Sequence, residues 1–192
     1  MKALKITLAS ALLAFAATQA AAQQTPYFKA PMDFAGTGCP AGSMTVTGEN
    51  SPTLTVMFDK YDAAKPLSKA RSQMERTSCN FAVPVHVPAG FQVSTLTADW
   101  MGYAEGSVEL FRRYFFAGTP MPGKTSRPSG NFVERDEKLY GTVTNSPCGR
   151  DVQLRINSSV TAKSNPSYIA LDTIDLQTKP MVIFKLNWQA CR

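Results

Sequence analysis

The stretch Val152-Gln153-Leu154-Arg155-Ile156-Asn157-Ser158-Ser159-Val160 decides how this chain is read. Val152, Leu154, Ile156 and Val160 fall on one phase of a two-residue period, and Gln153, Arg155, Asn157 and Ser159 on the other. In extended backbone, successive side chains leave opposite sides, so this order describes a strand with one face in a core and one in water. The same rhythm recurs outward from it. Leu54, Val56 and Phe58 share a face, as do Phe81, Val83, Val85 and Val87, and again Val182, Phe184, Leu186 and Trp188. From Phe91 to Trp100 the apolar phase switches, from Phe91 and Val93 to Leu96, Ala98 and Trp100, which predicts a β-bulge near Ser94 and Thr95. Pro84 lies inside a strand pattern and lacks an amide donor, which predicts an edge strand or a bulge there.

Turn clusters punctuate these runs at Gly48–Pro52, Pro88–Gly90, Pro120–Gly123, Asn145–Pro147 and Asn165–Pro166. Residues 63–76 alone bring Leu67, Ala70 and Met74 near helical spacing, among Lys65, Lys69, Arg71 and Arg76, and read as a short helix or a basic loop. About nine short strands with this punctuation describe an all-β fold, an antiparallel β-sandwich, with a closed β-barrel as the alternative.

The N-terminus specifies a compartment. Lys2 and Lys5 precede an apolar run from Ile6 to Ala17, and Ala20-Ala21-Ala22 supplies small residues for cleavage. That is the layout of a secretory signal peptide over residues 1–22, which leaves 23–192 as one secreted domain, extracellular or periplasmic. The run is shorter than the ~20 apolar residues a spanning helix needs, and no later segment approaches a transmembrane length. Removing Lys2 and Lys5 takes the formal charge from +6 to +4. This mild excess does not form the basic stripe of a nucleic-acid binder.

Cys39, Cys79, Cys148 and Cys191 are an even set in an exported chain and read as two disulfides, with three possible connectivities. Cys39–Cys79 with Cys148–Cys191 would staple each half separately, although spacing alone does not fix the pairing. No two cysteines form a C-x-x-C pair, so a thioredoxin-like redox site or zinc knuckle is not expected.

The segment Ala35-Gly36-Thr37-Gly38-Cys39-Pro40-Ala41-Gly42 looks at first like a phosphate loop. Its glycines are one residue too widely spaced for G-x-G-x-x-G, and a strand pattern follows where a helix is required. It reads instead as a turn carrying a disulfide cysteine. His86 is the single histidine and lies opposite the valines of its strand, without a nucleophile elbow elsewhere. One histidine cannot build a histidine metal site, and no calcium loop is present, so neither metal nor cofactor is expected. Paired carboxylates remain the route to an enzyme, since glycosidases need two. The candidates are Asp99, Glu105 and Glu109, then Glu134, Asp136 and Glu137, then Asp172 and Asp175. The run Glu134–Lys138 alternates sign like a solvated hairpin, and none of the pairs is distinctive.

Binding by aromatic residues is the stronger theme. Trp100 and Tyr103 sit together in one segment, and Phe111, Tyr114, Phe115 and Phe116 surround Arg112 and Arg113 in another. Rings beside guanidinium groups stack sugars or grip anionic polymers. The opposing expectation is that consecutive aromatics fill both faces of a central strand.

The ordered pieces FAGTGCPAG (34–42), LTVMFDKY (54–61), RTSCNFAVPVHVPAGFQ (76–92), ADWMGYAEG (98–106), YFFAG (114–118), SPCG (146–149), LRINSSV (154–160), LDTIDL (171–176) and LNWQAC (186–191) together resemble a family of small secreted fungal and bacterial proteins catalogued as a domain of unknown function. The resemblance includes all four cysteines and implies a secreted, disulfide-containing, β-rich domain, with no catalytic residue to carry over. The expected function is therefore an exported, non-catalytic sandwich that binds a surface polymer, glycan or protein partner, with Trp100, Tyr103, Arg112 and Arg113 as candidate contacts. The alternatives are a secreted glycan hydrolase using two carboxylates, and a structural or effector protein.

Overall fold

The computed structural model describes residues 25–117, 121–137, 145–171 and 181–191. The segment read as a signal peptide lies outside them, as do the candidate acids Asp172 and Asp175. In chain order the strands are β1 (Tyr27–Phe28), β2 (Asp33–Ala35), β3 (Met44–Thr47), β4 (Thr53–Phe58), β5 (Asp62–Lys65), β6 (Arg76–His86), β7 (Phe91–Glu105), β8 (Val108–Phe116), β9 (Lys124–Ser126), β10 (Gly130–Asp136), β11 (Val152–Ala162), β12 (Ser167–Ala170) and β13 (Val182–Ala190). These exceed the nine or so expected because several are pieces of two to four residues, too short to display a period.

The strands form two open antiparallel sheets, a sandwich and not a barrel. The first sheet runs β1-β6-β11-β8-β9, with β2 also on β6; the second runs β3-β4-β13-β7-β12-β5, with β10 on the other edge of β7. The long central strands carry the clearest alternation. In β8 the buried phase is Val108, Leu110, Arg112, Tyr114 and Phe116, and the other phase is half-buried. Aromatic rings cross the gap between sheets edge to face: Phe81 of the first sheet meets Phe184 and Phe58 of the second at 5.9 and 6.1 Å, and Phe184 in turn meets Trp100 of the neighbouring strand at 5.8 Å.

Three local readings of the sequence are refined by this topology. The bulge falls where it was expected: Asn187 pairs with Thr95 and Trp188 with Val93, leaving Ser94 as the extra residue. Pro84 is not on an edge strand, because β6 has neighbours on both sides. The Pro84 carbonyl accepts from Lys29 N–H between β1 and β2, so the missing amide hydrogen points into the break between these two short strands. The basic segment forms one 3₁₀ turn at Leu67–Lys69. Buried Asp62 holds the loop after it, accepting the N–H groups of Arg71 at 2.6 Å and Ser72 at 3.0 Å.

Disulfides join Cys39 to Cys79 and Cys148 to Cys191, with Cα separations of 5.4 and 5.9 Å. The glycine segment serves the first. Gly38 N–H donates to the Ser78 carbonyl at 2.9 Å. A Cβ at Gly36 would collide with that carbonyl, and one at Gly38 with the Tyr61 ring. Only glycine lets this backbone lie flat enough on β6 for Cys39 to reach its partner.

Candidate functional site

Strand alternation sorts the predicted contacts into different environments. Trp100 and Arg112 point between the sheets and are both 0% exposed. Tyr103 and Arg113 point outward, on opposite faces of the sandwich, and are half-buried. The four residues therefore do not form one site.

The inward pair belongs to a polar cluster that joins β8 and β9 of the first sheet to β10 of the second. Arg112 Nε donates to Asp136 Oδ2 at 2.8 Å and Nη2 to Oδ1 at 3.1 Å, a bidentate pair. Arg112 Nη1 donates to the Leu110 carbonyl and to Ser126 Oγ. The Trp100 indole N–H donates to Tyr114 Oη at 2.6 Å, and the Tyr114 hydroxyl donates to Asp136 Oδ2 at 2.6 Å. Lys124 completes the carboxylate's shell at 2.9 Å, and Glu134 stands 3.5 Å from Arg112. Burial pushes the Asp136 carboxyl up, but the hydrogen bonds and charge around it outweigh that, and its pKa ends below the ordinary value. Burial, then the Asp136 charge, pushes the Tyr114 phenol well up. The buried groups Arg112, Tyr114 and Asp136 are bonded to one another and to their neighbours, so the arrangement holds the two sheets together.

The role of Asp136 corrects the solvated-hairpin reading of Glu134–Lys138. Asp136 is 2% exposed, whereas Val133 on the same strand is 62% exposed. The hydrophobic signal in β10 is thus inverted. The sequence did hold an indirect signal: Arg112 falls in the apolar phase of β8, and a buried guanidinium requires a buried acid.

The outer face of the second sheet carries a groove of about 530 Å³ lined by Thr97, Asp99, Arg135, Glu137, Ile183, Lys185 and Asn187. Asp99 accepts a bidentate pair from Arg135 at 2.7 and 3.0 Å, and Asn187 donates to Thr97 at 3.1 Å. Tyr103 lies farther along β7 on this face, 6.5 Å from the Tyr168 ring. Asp99 and Glu137 share this groove. Glu109 sits on the other sheet, bonded to Lys163 and Arg127, which hold its carboxyl below the ordinary range. His86 is bonded to Asp151, which Lys29 also holds. Among the described residues, no three His, Cys, Asp or Glu side chains group as metal ligands.

The outer face of the first sheet differs. Along β8 it presents Phe111, Arg113 and Phe115, and the register places them opposite Ser159, Asn157 and Arg155 of β11. The next strand continues the rows with Ser78, Asn80 and Ala82. The Arg113 guanidinium carbon lies 5.6 Å from the Phe111 ring centroid. Its Nε is buried without a hydrogen-bond partner among the described residues. Neither Arg113 nor Arg155 enters an ion pair among those residues. This face therefore offers Arg113, Arg155 and, at one end, Arg76, which is bonded to Ser159, all without an ion pair among the described residues, beside rings and rows of polar side chains.

A family profile described as "Domain of unknown function (DUF4360)" matches residues 30–191. An uncharacterized secreted protein of Arthroderma benhamiae is 29% identical over 172 residues, covering 82% of this chain and 69% of that protein. Among solved structures, the chain is similar to TmCBM61 in complex with β-1,4-galactotriose, at 14% identity and a TM-score of 0.38, over 81% of this chain and 88% of that one. It is also similar to the enzymatically active domain of tailspike protein 4 from bacteriophage CBA120, at 15% identity and a TM-score of 0.29, over 81% of this chain and 19% of that one. The chain belongs to the family named Domain of unknown function (DUF4360).

Proposed function

We propose that this family member is a secreted, non-catalytic β-sandwich that binds a surface polymer, a glycan, on the outer face of its first sheet. The observation that carries the reading is the stripe Phe111, Arg113 and Phe115 on β8, flanked by Arg155 and Asn157 on β11. Ring faces and a guanidinium suit the planar, hydroxyl-bearing surface of a sugar. The amides of Asn157 and Asn80 and the hydroxyl of Ser78 supply donors and acceptors along the rows. An extended polymer lying across the strands would use these rows without any deep pocket.

The experiment is retention of the whole secreted chain on a panel of insoluble and gel-immobilised polysaccharides. Wild-type protein is retained on at least one, and Phe115→Ala and Arg113→Ala release it while melting at the wild-type temperature. Retention that survives both substitutions, or none on any polysaccharide, overturns the reading.

A second reading, a glycan hydrolase, is favoured by the presence of Asp99 and Glu137 in one groove. Asp99 is held bidentately by Arg135, an arrangement suited to a fixed anion and not to a proton donor. Release of reducing ends from a bound polysaccharide, abolished by Glu137→Gln, would establish hydrolysis; absence of release from every retained polymer would dismiss it.

A further inference from the structure

We infer that the polymer taken by the β8–β11 face is acidic, and that Arg113 and Arg155 form a receptor for a carboxylate, sulfate or phosphate carried on its sugar rings. This inference rests on the glycan reading above and names its ligand class.

The two neighbouring arginines of β8 put one chemistry to two uses. A guanidinium has five donors in a fixed plane, and its Nε and one Nη form a fork that fits two oxygens of an anion. Arg112 shows that use inside the protein, with Asp136 occupying its fork. Arg113 shows the same group with its fork unused. It is fixed against the Phe111 ring, and its Nε is withdrawn from solvent yet bonded to nothing among the described residues. A buried donor without an acceptor costs free energy, and such exceptions call for a specific explanation. An incoming oxyanion answers the need once the guanidinium turns outward on the Phe111 ring, with one oxygen then meeting Nε and the other Nη.

Arg155 adds a second charge. It is exposed and faces outward from the adjacent strand, opposite Phe115 and diagonal to Arg113. Diagonal positions on neighbouring antiparallel strands lie roughly 7–8 Å apart, within reach of long side chains. Two unpaired cations at this spacing repel each other and together draw one anion. Among the acids of this sheet's outer face, Glu109 is tied to Arg127 and Lys163, and Asp151 to Lys29 and His86. Asp33 stands in the row of Arg155, two strands away, with Ala82 between them.

The surroundings select a sugar acid over an acidic peptide. The rows of this face set the amides of Asn157 and Asn80 and the hydroxyl of Ser78 beside the cations, a match for the hydroxyls of a sugar ring. Phe115 supplies a ring beside the two cations, so a pyranose carrying a carboxylate can present its ring and its charge to adjacent groups.

The test compares three probes that differ in one property each: polygalacturonate, its fully methyl-esterified form, and poly-glutamate of matched charge. Equilibrium binding of the full secreted chain is measured with each at low and high salt. The expected result is binding of polygalacturonate about tenfold or more tighter than of the ester, with salt dependence, and weak binding of poly-glutamate. Arg113→Lys, which keeps the charge and removes the fork, should lose most of that preference, as should Arg155→Gln; unchanged melting temperatures report that both variants fold.

Equal binding of acid and ester overturns the acidic-ligand inference and leaves the glycan reading standing. Binding of neither, together with no retention on any polysaccharide, overturns both. Poly-glutamate binding as tightly as polygalacturonate replaces the sugar acid with a general polyanion and overturns the stated class. An undiminished preference in both arginine variants removes the receptor from this face.

Discussion

Arg112 and Arg113 are adjacent in the chain and stand on opposite sides of one sheet. Arg112 has no exposed surface, and its donors are taken by Asp136, Ser126 and the Leu110 carbonyl. Arg113 lies on a phenylalanine ring at the surface, with an unbonded Nε and no ion pair among the described residues. The chemistry is identical, and the one-residue offset in a strand of period two decides everything else. Arg112 is a structural tie between sheets; Arg113 is the one we propose for a ligand. Taking both arginines together as binding residues, as their sequence invites, merges two functions that the pleat separates.

Perturbation can break this contrast or sharpen it. The largest effect is expected from removing one side of the inner pair. Arg112→Ala or Asp136→Ala leaves a buried charge without its partner and should cost about 3–5 kcal/mol in urea unfolding. The double variant Arg112→Met/Asp136→Leu should be less destabilised than either single change, because no buried ion remains. If Arg112→Ala costs no more than a surface substitution, the inner tie does not exist.

Next is the uncharged end of the cluster. Tyr114→Phe removes the hydroxyl that links Trp100 to Asp136, leaving the indole N–H without an acceptor. The expected cost is about 1–3 kcal/mol in the same measurement, accompanied by a change in Trp100 fluorescence.

Acid should act on the same residues. The native pKa of Asp136 lies below its ordinary value, so its contribution is complete above about pH 4, where the unfolded chain is also ionised. The contribution is lost as pH falls through the lowered native value. Urea midpoints measured from neutrality down to about pH 2 should therefore fall more steeply in wild type than in Asp136→Asn. Parallel profiles would show that this carboxylate does not govern the acid limb.

The smallest stability effect belongs to the outer arginine. Arg113→Ala should change unfolding free energy by no more than about 0.5 kcal/mol, as for a surface substitution away from special features. A larger loss would make Arg113 structural and erase the comparison with its neighbour.

The legibility of the molecule follows the same line. Strands with an apolar inner phase, such as β4, β6, β11 and β13, announce themselves, and the phase switch at Ser94 marks a real bulge. β10 does not: it exposes Val133 and buries Asp136, since its inner face meets Arg112 and not a hydrocarbon core. Residues 63–76 look half helical because Leu67, Ala70 and Met74 recur at helical spacing, yet Leu67 and Met74 are exposed and Asp62 fastens the loop. Trp100 reads as a candidate platform because aromatic character is local information, while its burial comes from Phe184 on the adjacent strand and Tyr114 on the opposing sheet.

The amino-acid order alone determined the two-residue period, the even cysteine set and the turn positions among the described residues. Those are properties of neighbouring residues and of residue types. Tertiary structure decided which arginine meets Asp136, which cysteines join, and which aromatic rings reach the surface. These depend on contacts between strands far apart in the chain, where pairing register and the stacking of two sheets, not local spacing, select each partner.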